Sequence, residues 1–170
     1  MKYMTAAQAV QLIESGDSIY IQGSTSIPEV LSQALADRGN ELRDVTVYAA
    51  FAVGRCEAPY CKPEYKDAFN VKSLFVANNV RKWLAQGYGS TIPAFLGEIP
   101  GLFRDGTLPL DAVFLNVSPP NDEGFCSFGI SADLAVSAVE CARKVIVQVN
   151  KAMPFSYGDA LIHVSRIDAA

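Results

Sequence analysis

Asp111-Ala112-Val113-Phe114-Leu115-Asn116-Val117 and Val145-Ile146-Val147-Gln148-Val149 are nearly continuous apolar runs. A strand that alternates apolar and polar residues has one wet face, whereas an unbroken apolar strand is covered on both, as in a parallel sheet flanked by helices. Between the two runs, Ser131 reads as the cap of a helix carrying Leu134, Ala135, Ala138, Val139 and Ala142 on one face. Asp133 falls in its first turn and Arg143-Lys144 at its end, charges that suit the helix dipole. This is one strand-helix-strand unit.

The same alternation extends upstream. Thr5 precedes an apolar stripe at Ala6, Ala9, Val10 and Ile13 that Gly16 ends, and Asp17 to Ile21 reads as a strand. Ser26-Ile27-Pro28-Glu29 has the spacing of a capping box, with Ser26 as cap, followed by Ile27, Val30, Leu31, Ala34 and Leu35 at helical period until Gly39-Asn40. Val45 to Ala49 and Lys72 to Val76 are short β-branched and aromatic runs, read as strands. Gly54 to Asn70 has no period and reads as an irregular connection. Asn79 is placed to cap a helix bearing Val80, Trp83 and Leu84, and Ile99, Leu102 and Phe103 continue a helical pattern closed by Asp105-Gly106. The expected fold class is α/β: one domain with an open, mostly parallel sheet and helices on both faces.

The composition agrees. At about 150 residues per domain, 170 residues make one domain. Fourteen basic and eighteen acidic residues give a formal charge of −4, with no cationic run, so nucleic acid is an unexpected partner. No stretch nears the roughly 20 apolar residues of a membrane span, and Met1-Lys2-Tyr3-Met4-Thr5 lacks the order of a secretion signal, so a cytoplasmic protein is expected. The four cysteines, Cys56, Cys61, Cys126 and Cys141, are too sparse for a disulfide scaffold and are expected to be reduced. An apolar fraction of 50% is high for so small a domain and implies a buried partner surface.

Ligands of open parallel sheets sit beyond the carboxyl ends of the strands. Three segments there carry candidate binding residues. Gly23-Ser24-Thr25-Ser26 offers backbone N–H groups and hydroxyls to a carboxylate or phosphate, or else is an ordinary strand-to-helix turn. It matches neither a P-loop nor a dinucleotide fingerprint. Ser118-Pro119-Pro120-Asn121, continuing to Gly129, is a loop stiffened by two prolines, read either as functional or as a plain connection. Asn150 follows the last strong strand, near Met153, and either orients a substrate or packs.

Other chemistries are excluded or demoted. The lone His163 lies in a strand-like run and reads as structural. GxSxG is absent, so there is no serine-hydrolase elbow. Cys56 and Cys61 lack companions for a zinc site, so no metal is expected. Cys126 reads as a small buried residue rather than a nucleophile. Glu98 stands in an apolar stretch, either as a perturbed acid or as a turn cap.

Taken together, Val117-Ser118-Pro119-Pro120 with the glycines at 124 and 129, Leu74 to Arg81, Ile92 to Pro100, and Val149-Asn150 with Met153-Pro154 and Gly158 to Ser165 resemble, in order, the acetyl-CoA hydrolase/transferase family. The likeness is to the 4-hydroxybutyrate and acetate CoA-transferases and runs from about Ala9 to Asp168. Ala77-Asn78 and Gly23 to Ser26 are poorer in glycine than the family pattern. The resemblance implies a CoA-transferase, NagB-like fold. It further implies exchange of coenzyme A between acyl-CoA thioesters and short-chain carboxylates such as acetate, butyrate or 4-hydroxybutyrate, with hydrolysis as a related outcome. Coenzyme A would then be substrate and product rather than a resident group.

In this family a glutamate carboxylate attacks the thioester and expels the CoA thiolate, giving an acyl-glutamyl anhydride; the thiolate then attacks the glutamyl carbonyl and releases the acyl carboxylate. That glutamate follows a glycine-x-histidine stretch in the second half of the family chain. The present sequence has no such stretch, so no residue is assigned as nucleophile. Its expected partners are a second, catalytic domain or subunit and further copies of itself. Gly23, Ser24, Thr25, Ser26, Asn79, Arg81, Ser118, Pro119, Pro120, Asn121 and Asn150 are the residues expected to face acyl-CoA or carboxylate. The competing readings are a non-catalytic binding module of the same fold and a sugar-phosphate isomerase, the latter weakened by the lack of a paired acid and base.

Overall fold

A computed structural model describes residues 1–53 and 58–170, so the reading of Cys56 lies outside the described residues. The strands are β1 (Ser18–Ile21), β2 (Val45–Ala49), β3 (Phe69–Ser73), β4 (Ser90–Thr91), β5 (Ala112–Val117), β6 (Phe125–Ser127), β7 (Lys144–Val149) and β8 (Leu161–His163). The helices are α1 (Ala6–Ala9), α2 (Glu29–Asp37), α3 (Asn78–Leu84), α4 (Ile99–Arg104) and α5 (Ala135–Cys141).

Six strands form one sheet in the order β4-β3-β2-β1-β5-β7, and every neighbouring pair is parallel. Alternate side chains divide between two cores. Ile19, Ile21, Val45, Val47, Phe114 and Ile146 pack with Leu31 and Leu35 of α2 on one face. Tyr20, Tyr48, Val113, Leu115, Val145 and Val147 pack with Ile99 and Phe103 of α4 and Leu134, Ala135 and Ala138 beside and within α5 on the other. The sheet is thus covered on both faces, which is why β5 is buried at all six positions. Beyond β7, Ala169 bridges in parallel to Ile146, and the Asp168 carboxylate accepts from Val145 N at 2.7 Å.

Several elements begin elsewhere than the sequence suggests. Thr5 does cap α1, in a reciprocal capping box with Gln8. Ser26 does not cap α2: the helix starts at Glu29 behind Pro28, and the Ser26 hydroxyl is buried without a partner among the described residues. Proline disfavours helical backbone in the residue before it, so Ile27 stays outside the helix. The buried stripe of α2 is Leu31, Ser32, Leu35 and Ala36, while Val30 is 59% exposed. β3 lies three residues earlier than expected, because Phe69 and Val71 are the residues that point into the core beside Val45 and Val47. Leu74 to Val76 follow the strand, and Phe75 is exposed. Asn79 lies inside α3, whose cap position is Ala77, and Ser131 does not cap α5, which starts only at Ala135.

The turn-rich segment after β5 contains β6, which pairs antiparallel with β8, a two-stranded sheet the periodicity did not show. The connection before β3 is irregular as expected, with only short 3-10 turns, but in its described part, from Ala58 on, Ala58, Tyr60 and Cys61 are buried and join the core. Among the described residues no helix is long and apolar enough to cross a membrane.

Candidate functional site

The strand order reverses direction between β1 and β5: the chain steps outward from β1 through β2 and β3 on one side, then returns to add β5 and β7 on the other. Loops leaving two such adjacent strands diverge to opposite faces and leave a crevice at the carboxyl edge. Gln22, fully buried at the end of β1, holds that crevice. Its side-chain carbonyl accepts from Asn116 N of β5 at 2.7 Å, and its amide donates to Ser131 O at 2.7 Å. The side chain therefore continues the β1–β5 ladder past the point where the backbones separate, and ties it to the segment entering α5.

The loop after β1 is locked to the loop after β2. Ser24 N donates to Phe51 O at 2.6 Å, Val53 N donates to Ser24 O at 3.0 Å, and Ser24 has φ 57. A Cβ on Gly23 would lie 2.7 Å from both Ala50 Cβ and Phe51 O, so only glycine permits this approach. The Ser24 hydroxyl reaches the Asp133 carboxylate at 3.4 Å, and the hydroxyls of Thr25 and Ser131 are 3.5 Å apart. The start of α2 is partly closed to an anion, because Val30 N already donates to the Gln148 side chain at 3.0 Å and Glu29 N to Ile27 O at 2.9 Å.

The loop after β5 is rigid. Ser118 is buried; its hydroxyl donates to Pro119 O and accepts from Ser127 N, both at 2.9 Å. The Asn121 side chain accepts from Glu123 N and Phe125 N at 3.1 and 2.8 Å, an Asx-type turn. Asn150 is likewise held in a turn, accepting from Ala152 N at 2.9 Å.

Three of the segments read from the sequence, 23–26, 118–121 and 150, therefore lie side by side at the carboxyl ends of β1, β5 and β7. Asn79 and Arg81 do not join them. They sit on α3, after β3, two strands from β1, and Arg81 donates to Val76 O at 3.3 Å. Glu98 acts as a turn cap, accepting from Phe95 N at 2.9 Å. His163 is structural: its Nδ1 lies 2.8 Å from Ser165 Oγ, and its ring packs edge-on to Phe125.

Sequence reasoning missed Gln22, Asn116 and Gln148. Their signal was a polar residue at or near the carboxyl end of an otherwise apolar strand. Asn116 and Gln148 are register partners, and the Asn116 side-chain oxygen is buried without a hydrogen-bond partner among the described residues. Also missed was a cavity of about 440 Å³ behind the loops after β2 and β3, lined by Phe51, Leu74, Phe75, Ile99, Leu134 and Asp133 among others. A second cavity of similar size lies by the outer side of β3, with Lys62, Lys66 and Lys72 in its lining; it adjoins the starts of β2 and β3, away from the crevice.

Burial pushes the Cys126 thiol up and that of Cys61 up to about 12, so neither is a ready nucleophile at neutral pH. Burial, reinforced by the Asp133 charge, also drives the Tyr20 phenol above its ordinary range. No group of three or more His, Cys, Asp or Glu side chains is placed to hold a metal among the described residues.

Comparison with known proteins fits this geometry. Residues 1–170 match the acetyl-CoA hydrolase/transferase N-terminal domain. The chain is 35% identical over 167 residues to the 4-hydroxybutyrate coenzyme A transferase of Clostridium kluyveri, covering 98% of this chain and 38% of that one. It is 30% identical to the butyryl-CoA:acetate CoA-transferase of Anaerostipes caccae, with the same two coverages. Among solved structures, RipA from Yersinia pestis superposes with a TM-score of 0.91 at 28% identity, over 99% of this chain and 41% of that one. A 4-hydroxybutyrate CoA-transferase from Porphyromonas gingivalis superposes with a TM-score of 0.78 at 31% identity, over 99% and 38%. The chain thus spans about 38% of the length of these transferase relatives. On the whole-chain match and the shared fold, it belongs to the acetyl-CoA hydrolase/transferase family, as an N-terminal domain.

Proposed function

We propose that this domain forms one wall of a CoA-transferase active site, across which coenzyme A passes between acyl-CoA thioesters and short-chain carboxylates. The observation that carries this reading is the convergence, at the switch point of a family-matched fold, of the loops at 23–26, 118–121 and 150. Gly23, Ser24, Thr25, Ser26, Ser118, Pro119, Pro120, Asn121 and Asn150 face the acyl-CoA or carboxylate. Asn79 and Arg81 stand further out and meet a more distant part of the ligand. The nucleophilic carboxylate comes from a second domain, as a covalent segment or a partner subunit. The first domain contributes shape, excludes water and holds backbone dipoles around the thioester carbonyl, the preorganisation on which oxyanion stabilisation depends. Exposed apolar side chains beside the crevice, Phe75, Phe95 and Leu96, are the surface that second domain covers. Transfer to a carboxylate rather than to water, a cytoplasmic setting and a homo-oligomeric assembly belong to the same reading.

The test is an exchange assay from butyryl-CoA to labelled acetate. The 170-residue chain alone is expected to give no turnover, and the polypeptide carrying the second domain is expected to give acetyl-CoA. Turnover by the isolated chain would overturn the divided-site reading. A two-domain polypeptide that binds acyl-CoA without exchanging it would instead establish a non-catalytic module.

A further inference from the structure

We propose that the cavity behind the loops after β2 and β3 receives the hydrocarbon part of a short, uncharged acyl group, and that Asp133 at its rim selects against acyl groups bearing a second carboxylate. This rests on the transferase reading above and names the substrate class that reading leaves open. The relatives' names include neutral acyl groups and succinyl, so family membership does not decide between them.

The cavity's position relates it to the reacting end. Its walls include Phe51, two residues beyond β2, and Leu74, directly after β3, so it opens at the same carboxyl edge as the crevice. Leu74, Ile99 and Leu134 are 6%, 1% and 1% exposed, giving a fixed apolar floor, while Phe75 is 61% exposed and stands edge-on to Phe51 at 5.7 Å. A volume of about 440 Å³ is at the low end of ligand pockets, which run from roughly 300 to 1,000 Å³.

Charge sets the selectivity. Among the described residues, Asp133 is the only charged one in the cavity's lining, with no lysine, arginine or histidine beside it. Its carboxylate is fixed by Leu134 N at 2.7 Å and by the Ser24 hydroxyl at 3.4 Å, so it stands between the loop after β1 and the apolar floor. A terminal methyl loses nothing beside it, and a terminal hydroxyl can donate to it. A terminal carboxylate finds no cation among the described lining residues and meets the like charge of Asp133, which is exposed and so repels it at the strength of a solvated pair.

Kinetics of the two-domain polypeptide with acetyl-, butyryl- and succinyl-CoA, acetate being the acceptor for the last two and butyrate for the first, provide the test. Each methylene buried in the cavity is expected to raise kcat/KM about fourfold, and succinyl-CoA is expected to fall about tenfold or more below butyryl-CoA. Asp133→Asn should narrow the succinyl-to-butyryl gap about fivefold. Leu74→Phe, which fills the cavity, should depress butyryl-CoA more than acetyl-CoA. Equal use of succinyl- and butyryl-CoA, or a gap unchanged in Asp133→Asn, overturns the proposal while leaving the transferase reading intact. If no thioester is turned over, the transferase reading fails, and amide NMR of the 170-residue chain decides the cavity's role. Butyrate should then shift Phe51, Leu74 and Leu134 at concentrations where succinate does not, and the reverse order or no shift refutes it.

Discussion

Replacing Gln22 with leucine removes a side chain that bridges β1, β5 and the approach to α5, at nearly constant volume. Gln22 is fully buried, and its two hydrogen bonds, to Asn116 N and Ser131 O, are both 2.7 Å long. Truncation leaves a buried donor on β5 and a buried acceptor before α5, and each orphaned group costs about 1–3 kcal/mol. The apolar replacement returns part of this through burial, so a net loss of about 2–4 kcal/mol is expected. For a chain of this length, about 1 kcal/mol moves Tm by roughly 2–4 °C, so the transition should fall by about 5–15 °C.

Urea unfolding followed by circular dichroism measures the free energy, and an unchanged m value would show that the denatured state is not responsible. Native-state hydrogen exchange adds the local readout, since the Asn116 amide should lose protection beyond the global change. A net loss below about 1 kcal/mol with Asn116 protection intact would refute the bridging role.

Further outcomes follow from the same geometry. Gly23→Ala should destabilise the chain by about 1–3 kcal/mol in thermal unfolding, because the atoms 2.7 Å from the new methyl include backbone that cannot swing away. Gln148→Leu should cost about 0.5–2 kcal/mol, less than Gln22→Leu, since it removes a single acceptor at the start of α2. Burial raises the Cys61 thiol from 9.0 to about 12, so the folded chain holds a proton that the unfolded chain releases. Its contribution is full below pH 9 and is lost as pH rises toward 12; denaturation curves across that window should fall less steeply in Cys61→Ala than in the parent chain. In thiol titration at pH 7, Cys61 and Cys126, both buried, should react only when the chain is unfolded.

What the sequence discloses about this fold divides along physical lines. β5 and β7 were legible because burial on both faces leaves continuous apolar runs, and β2 because its short β-branched and aromatic run starts directly after the polar Arg43-Asp44. β3 was misplaced because Leu74-Phe75-Val76 is more apolar than Phe69-Asn70-Val71, although the latter is what the register against β2 demands. The start of α2 was misread because a capping box is a local pattern, while the segment is governed by Pro28 and by a long-range bond that Val30 N donates to the Gln148 side chain. The strand-like run around His163 is β8, whereas β6 is only three residues long, and the pairing of the two, far apart in sequence, leaves no local signal.

The site shows the same division. The loops at 23–26, 118–121 and 150 could be found because turn chemistry is local and the rule for parallel sheets says where to look. Gln22 and Asp133 acquire meaning only through residues 109 positions away, Ser131 and Ser24 respectively. The cavity was invisible for a related reason, since Phe51, Leu74 and Leu134 each look like ordinary core residues until the topology brings them together.

The most direct test of the account is an amide chemical-shift map of the 170-residue chain titrated with a butyryl-CoA thioether, which cannot be turned over. The account predicts that the shifts cluster in the loops after β1, β2 and β5, at residues 23–26, 50–51 and 118–121. Shifts confined instead to the cavity around Lys62 and Lys66, at the starts of β2 and β3, would contradict it.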